Sequence, residues 1–155
     1  MSKSTFVYVT FIRTTAERLW SALTTPEFMR EYWFGMHCES DWRPGSPWKL
    51  VFTDGRTADA GEIAEATPPL RLVIRWRNEW NPDMKAEGYS LCTFELAPVP
   101  DASPEAVKLT ITHSLDQPDS KFIAAVSGGW PRIISNLKSL LETGTVAVKS
   151  SKPAK

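Results

Sequence analysis

Trp130-Pro131-Arg132-Ile133-Ile134-Ser135-Asn136-Leu137-Lys138-Ser139-Leu140-Leu141-Glu142-Thr143-Gly144 is the stretch whose reading decides the fold. Trp130, Ile133, Ile134, Leu137, Leu140 and Leu141 recur at three- and four-residue spacing, which lines one side of a helix with apolar side chains. Pro131 suits a first helical position and Gly144 a left-handed stop, so the spacing predicts a helix over Pro131–Thr143, about 20 Å long at ~1.5 Å per residue. A long one-sided helix at the end of a chain needs a concave surface to cover it.

That surface must come from the residues before it. Thr5–Arg13 is rich in β-branched and aromatic residues and reads as a strand. Thr14-Thr15-Ala16-Glu17 reads as a capping box ahead of a stripe of Ala16, Leu19, Trp20 and Leu23, and Thr25-Pro26-Glu27 opens a second short helix carrying Phe28, Met29, Tyr32 and Trp33. Six strand segments follow: Gly35–Asp41, Trp48–Thr53, Thr57–Ala66, Leu70–Arg77, Tyr89–Ala97 and Ala106–Ser114. Arg43-Pro44-Gly45, Asp54-Gly55, Pro68-Pro69 and a proline-rich loop punctuate them. Asp119–Ser127 begins a final helix that Gly128-Gly129 should kink or interrupt. Residues 145–155 carry no apolar period and read as a disordered tail, leaving residues 1–144 as a single domain.

Strands joined by short turns form an antiparallel meander, and such a sheet curls. Leu72, Ile74 and Trp76 share one strand face while Arg71, Arg75 and Arg77 share the other; Leu109, Ile111 and His113 align likewise. The apolar sets are assigned to the concave side, against the final helix. The expected fold is therefore α+β: a curved antiparallel sheet of six to seven strands gripping a long C-terminal helix, with two short helices after the first strand. The space between sheet and helix is the candidate site.

Composition narrows the function classes. Lys+Arg and Asp+Glu are equal at 18 each in 155 residues, so no basic field draws nucleic acid. No apolar run approaches the ~18 residues of a membrane span, and the N-terminus shows no signal-peptide cleavage pattern. Two cysteines are too few for a disulfide framework, and with these features the chain reads as cytoplasmic. Seven Trp beside seven Phe imply a well-filled core or a pocket with flat apolar walls.

Several blocks resemble one family. Thr25-Pro26-Glu27-Phe28 through Tyr32-Trp33 and Asp41-Trp42-Arg43-Pro44-Gly45 are similar to the early signature of the activator of 90-kDa heat-shock-protein ATPase homologues. Gly61-Glu62-Ile63-Ala64-Glu65-Ala66-Thr67-Pro68-Pro69-Leu70-Arg71-Leu72-Val73 with Trp76 resembles its central motif, and Gly129-Trp130-Pro131 with Leu137–Gly144 its closing one. The blocks run in order from Thr5 to Gly144. The resemblance implies the START-like, Bet v 1-like helix-grip domain of the SRPBCC superfamily, a theme of apolar small-molecule binding, and a link to chaperones and the stress response.

Candidate site residues follow from the inward faces. Trp76, Tyr89, Ile111, His113, Trp130, Ile134 and Leu137 are candidates for the cavity, and Trp33, Phe34 and Trp80 for its rim. His113 ends an inward apolar set, either as a polar anchor for a ligand or as a buried histidine satisfied by a backbone carbonyl or Tyr89. Glu62 alternates with Ala58, Ala60, Ala64 and Ala66; if that face is concave, Glu62 is a desolvated acid in the cavity, and if convex, Ile63 points inward instead. Trp20 is assigned to the core and Cys92 to a small core position. His37-Cys38-Glu39 are adjacent on a strand and point alternately to opposite faces, so no metal site is assigned. No catalytic residue and no cofactor is assigned.

The function expected is binding of a small, mostly apolar molecule between the sheet and the C-terminal helix, by a monomer or homodimer. The alternatives are a protein-interaction module with a chaperone partner, using Trp80 or the arginine row, and a cavity enzyme of the cyclase, dehydratase or hydrolase kind. The last requires an inward-facing polar dyad.

Overall fold

The computed structural model describes residues 3–149. Its elements are β1 (Ser4–Ile12), α1 (Ala16–Thr24), α2 (Pro26–Tyr32), β2 (His37–Ser40), β3 (Pro47–Val51), β4 (Thr57–Thr67), β5 (Arg71–Asn78), α3 (Pro82–Ala86), β6 (Ser90–Pro98), β7 (Val107–Leu115) and α4 (Lys121–Thr143). One seven-stranded sheet has the order β1-β7-β6-β5-β4-β3-β2, and the pairs in it are antiparallel. The chain after β1 crosses to the far edge through α1 and α2, then meanders back until β7 pairs with β1. α4 then lies across the concave face.

Local chemistry explains the boundaries. Thr15 caps α1 by accepting from the Arg18 N–H at 3.1 Å, one residue later than the expected box. Pro26 occupies the first turn of α2, and the Tyr32 hydroxyl donates to the Ala22 carbonyl at 2.9 Å, locking the two short helices together. Gly55 supplies the positive φ of the β3–β4 turn. Gly61 is required for another reason: a Cβ there would meet the Arg75 carbonyl oxygen at 1.7 Å. The helix α3 was not anticipated, although Asn81-Pro82 carries its signature. The Asn81 side chain accepts from the Asp83 and Met84 N–H groups, and Pro82 fills the first turn.

The final helix differs from expectation. α4 is one helix of 23 residues, starting ten residues before Pro131, with Gly128, Gly129 and Pro131 in its interior. Two anchors hold the ends that the weak centre would otherwise release. At the start, Ser120 accepts from the Ile123 N–H, and the Glu87 carboxylate takes the Ser120 hydroxyl at 2.6 Å and the Lys121 N–H at 2.8 Å. At the end, Leu137, Leu140 and Leu141 are buried and Gly144 closes the helix at φ +87°. Burial at both ends outweighs the ~1 kcal/mol per glycine and ~3 kcal/mol for proline that propensity costs.

The expected tail also needs correction at its start. Asn136 accepts from the Val148 N–H at 2.6 Å and donates to the Val148 carbonyl at 2.7 Å, which folds the chain after Gly144 back along α4. A buried side-chain amide leaves few cheaper ways to be satisfied. The rest of that expectation, residues 150–155, lies outside the described residues.

The core fills the centre of the grip. Leu72, Ile74 and Trp76, with Leu109, Ile111 and His113, are buried against α4, as their alternation predicts, and Cys92 is buried beside them. Trp20 is only half-buried, at the margin of the core.

Candidate functional site

Trp76 sits among three other buried indoles, with ring centroids 4.4 Å from Trp48, 6.2 Å from Trp33 and 5.7 Å from Trp130. With Leu72, Ile74, Phe94 and Ile134 these rings leave about 10 Å³ of free space, too little for anything but a single water. The region beneath Ile134 and Leu137, expected as cavity, is therefore closed. Aromatic side chains are large enough to fill the volume that the sheet's curvature creates.

Open space lies instead beneath the first half of α4. A cleft of about 260 Å³ is bounded by Trp33 and Met36 after α2, Leu50 and Phe52 of the β3 end, Trp80 and Met84 beside α3, and Val126, Gly129 and Ile133 of α4. An adjoining cavity of about 630 Å³ shares Trp33, Met36, Phe52, Gly129 and Ile133 and extends the site past Phe34 to Arg132. Gly128 and Gly129 keep the roof thin, since neither meets another atom within 4 Å of where a Cβ would stand. Trp80 is 55% exposed and meets Phe52 edge-on at 6.3 Å, so it stands at the mouth.

The polar groups of the cleft are few. Asp59 and Asn78 face each other in the β4–β5 register, both inward and both buried. Asp59 accepts from Trp76 Nε1 through one oxygen and from Asn78 Nδ2 at 3.4 Å through the other. Burial pushes its carboxyl up from 3.8 to about 6, against the lowering effect of the indole N–H.

His113 belongs to a separate, closed chain of hydrogen bonds. Trp130 Nε1, which can only donate, points at His113 Nδ1 at 3.1 Å, so that nitrogen is unprotonated. Nε2 therefore carries the hydrogen and donates to Ser90 Oγ at 2.8 Å, and Ser90 donates to the Trp76 carbonyl at 2.8 Å. Burial holds the imidazole neutral, its pKa lowered from 6.5 to about 3. A histidine whose Nε2 already bears a proton cannot take one from Ser90, so the Ser90–His113 pair is no nucleophile–base dyad. His113 is the satisfied buried histidine, held by Ser90 and Trp130 rather than by a carbonyl or Tyr89.

Of the expected site residues, Trp76, Trp130 and the rim residues Trp33 and Trp80 line the cleft, and Phe34 lines the adjoining cavity. Ile111 and Leu137 are wholly buried core, and Ile134 borders the closed void. Of the two faces left open for Glu62 the convex one holds, and the placing of Tyr89 in the cavity is wrong. Glu62 is on the convex face, 3.3 Å from Arg75, while Ile63 is fully buried. Tyr89 is exposed, its ring under the Arg77 guanidinium at 4.8 Å. The arginine row is likewise paired: Arg71 meets Glu65 and Glu95, and Arg77 meets Glu79. His37 and Glu39 bond on one face of β2 while Cys38 is buried on the other. Asp59, Asn78 and Ser90 were missed. With Ile63 inward, period two along β4 brings Gly61 and Asp59 inward too, so the signal was present.

A curved antiparallel sheet gripping one long helix, with two short helices closing its end, is the helix-grip architecture of the SRPBCC superfamily. The profile of the activator of Hsp90 ATPase homolog 1-like protein family matches residues 13–142, and the chain belongs to that family. No curated protein matches at a significant level. Among solved structures, protein MLL2253 from Mesorhizobium loti is similar at 24% identity, with 89% of this chain and 96% of that one covered and a TM-score of 0.73. An Aha1 dimer from Colwellia psychrerythraea is 18% identical over 91% and 98% of the two chains, with a TM-score of 0.71. An HSP90 activator from Plasmodium falciparum is 23% identical over 88% and 95%, with a TM-score of 0.68. At these identities the likeness is one of fold. Among the described residues no helix is long and apolar enough to cross a membrane.

Proposed function

We propose that this protein binds a small, mostly apolar molecule in the cleft beneath the first half of α4. The observation that carries this reading is a 260 Å³ opening walled by indole, phenyl, thioether and aliphatic groups and carrying just two inward polar side chains, Asp59 and Asn78. Hiding some 200 Å² of apolar ligand surface is worth about 5 kcal/mol at ~25 cal/mol per Å², before the cost of lost ligand freedom. Trp33, Trp76, Trp80 and Trp130 all line the cleft, so binding should shift the protein's own fluorescence. Titration with neutral N-phenyl-1-naphthylamine should show one saturable site, and Ile133→Trp should abolish it with the fold intact. Absence of saturable binding, or binding untouched by Ile133→Trp, would sink the reading.

A second reading is a chaperone partner, favoured by the family and by Trp80, a large apolar side chain left 55% exposed. Capture by a chaperone middle domain that is lost in Trp80→Ala supports it; capture independent of Trp80 counts against that surface. The free edge of β1 also exposes Val7, Val9 and Phe11, which suits pairing with a second copy, and sedimentation velocity reads the oligomeric state directly.

A further inference from the structure

The floor of the cleft holds a negative group without a counter-charge. Asp59 is 6% exposed, and its hydrogen-bond partners, Trp76 Nε1 and Asn78 Nδ2, are both neutral. Among the described residues no lysine or arginine forms an ion pair with it, while Glu79 adds further negative field from β5's end. The cations near the end of β5 and on α3 are engaged elsewhere: Arg77 and Lys85 both pair with Glu79. A buried carboxylate without a counter-charge carries a desolvation cost that a proton, or above its pKa an arriving cation, relieves. The upward pull of burial on its pKa reflects that cost.

The walls around it suit the same visitor. Trp76, whose N–H holds Asp59, lies 6.2 Å from Trp33, and Phe52 and Trp80 line the same cleft. Indole and phenyl faces carry negative potential and attract ammonium groups, most strongly where water is excluded. The methionines Met36 and Met84 and the aliphatic Val126 and Ile133 leave the outer cleft apolar. One end of the site is thus anionic and aromatic, and the other simply greasy.

Building on the reading of this cleft as a binding site, we infer that its ligand is an apolar molecule ending in a protonated amine, with the ammonium seated on Asp59 and the hydrocarbon under Gly129 and Ile133. A neutral alcohol of the same length would fill the outer cleft and leave the carboxylate without its cation. A carboxylate would meet repulsion.

Three probes of one chain length separate the possibilities: n-octylamine, octan-1-ol and octanoate, titrated into the wild-type protein at pH 7.5 and followed by tryptophan fluorescence and calorimetry. The octylammonium ion should bind about tenfold or more tighter than octan-1-ol, with octanoate the weakest. In Asp59→Asn the preference for amine over alcohol should collapse to about twofold or less, with alcohol binding retained. The wild-type ranking alone decides the matter if that variant folds poorly. Octan-1-ol binding as well as octylamine overturns the amine assignment and leaves the cleft standing. No saturable binding of any of the three, in wild type and Ile133→Trp alike, removes both.

Discussion

The two halves of α4 cover the same sheet and meet opposite conditions. Beneath residues 130–141 the space is closed by Trp48, Trp76, Trp130, Phe94 and Ile134 with about 10 Å³ left over. Beneath residues 122–133 about 260 Å³ stays open. Part of the difference lies in side-chain size along the helix. Leu137, Leu140 and Leu141 reach into the sheet, whereas Ala125, Gly128 and Gly129 reach nowhere. A single helix can seal one end of a grip and leave the other as a binding site.

The largest expected effect lies where the halves join. Trp130→Ala removes an indole from both walls and the donor from His113 Nδ1, and should cost about 3–5 kcal/mol in urea denaturation. A loss under ~1 kcal/mol would mean the indole does not separate the two spaces.

Acid sharpens the comparison next, because one core group and one cleft group are shifted in opposite senses across the acid range. His113 is wholly buried in the core between Phe122, Trp76 and Trp130, its pKa down from 6.5 to about 3. The unfolded chain therefore binds that proton first, and stability falls as pH drops below 6.5 at up to ~1.4 kcal/mol per unit. Asp59 borders the open region, its pKa up from 3.8 to about 6. Here the native chain binds the proton first, so stability rises as pH falls from 6 towards 4 at a similar slope. The two oppose between about pH 6 and 4, so their joint contribution to wild-type stability should be nearly flat there. His113→Gln should turn that plateau into a gain on acidification, and Asp59→Asn into a loss. Equal slopes in all three proteins would contradict the assignment.

Smaller in stability, sharper in location, is a pair of neighbours. Ile134→Trp overfills the closed half and should cost ~1–3 kcal/mol. Ile133→Trp faces the cleft and should leave the melting temperature close to wild type while blocking N-phenyl-1-naphthylamine. Reversed results would place the cavity beneath the wrong half. The smallest change is a gain: Gly128→Ala and Gly129→Ala should each add ~0.5–1 kcal/mol, because the new methyl meets nothing and helix propensity improves. A loss would reveal a contact that keeps these glycines small.

Much of the fold was legible because its signals are local and periodic. Strand alternation placed Leu72, Ile74 and Trp76 opposite Arg71, Arg75 and Arg77, and three-four spacing placed the leucines of α4. Misreadings came where two local signals competed. Gly128-Gly129 and Pro131 argue for a break, yet the helix runs through because Glu87 and the buried Phe122 secure its start from a distance. Glu62 drew attention through its alanine neighbours, but burial of Ile63 fixed the strand's parity and sent Glu62 to the arginines outside. Asp59 went unread because a lone acid three residues earlier looks like any surface carboxylate until its strand face is known.

By itself the sequence determined a meander closed by an amphipathic helix, and with it the helix-grip class, because periodicity survives without neighbours. Only the tertiary structure decided where the hollow lies. Free volume is what remains after side chains from β3, β4, β5, α2 and α4 have met, and no one segment encodes the difference.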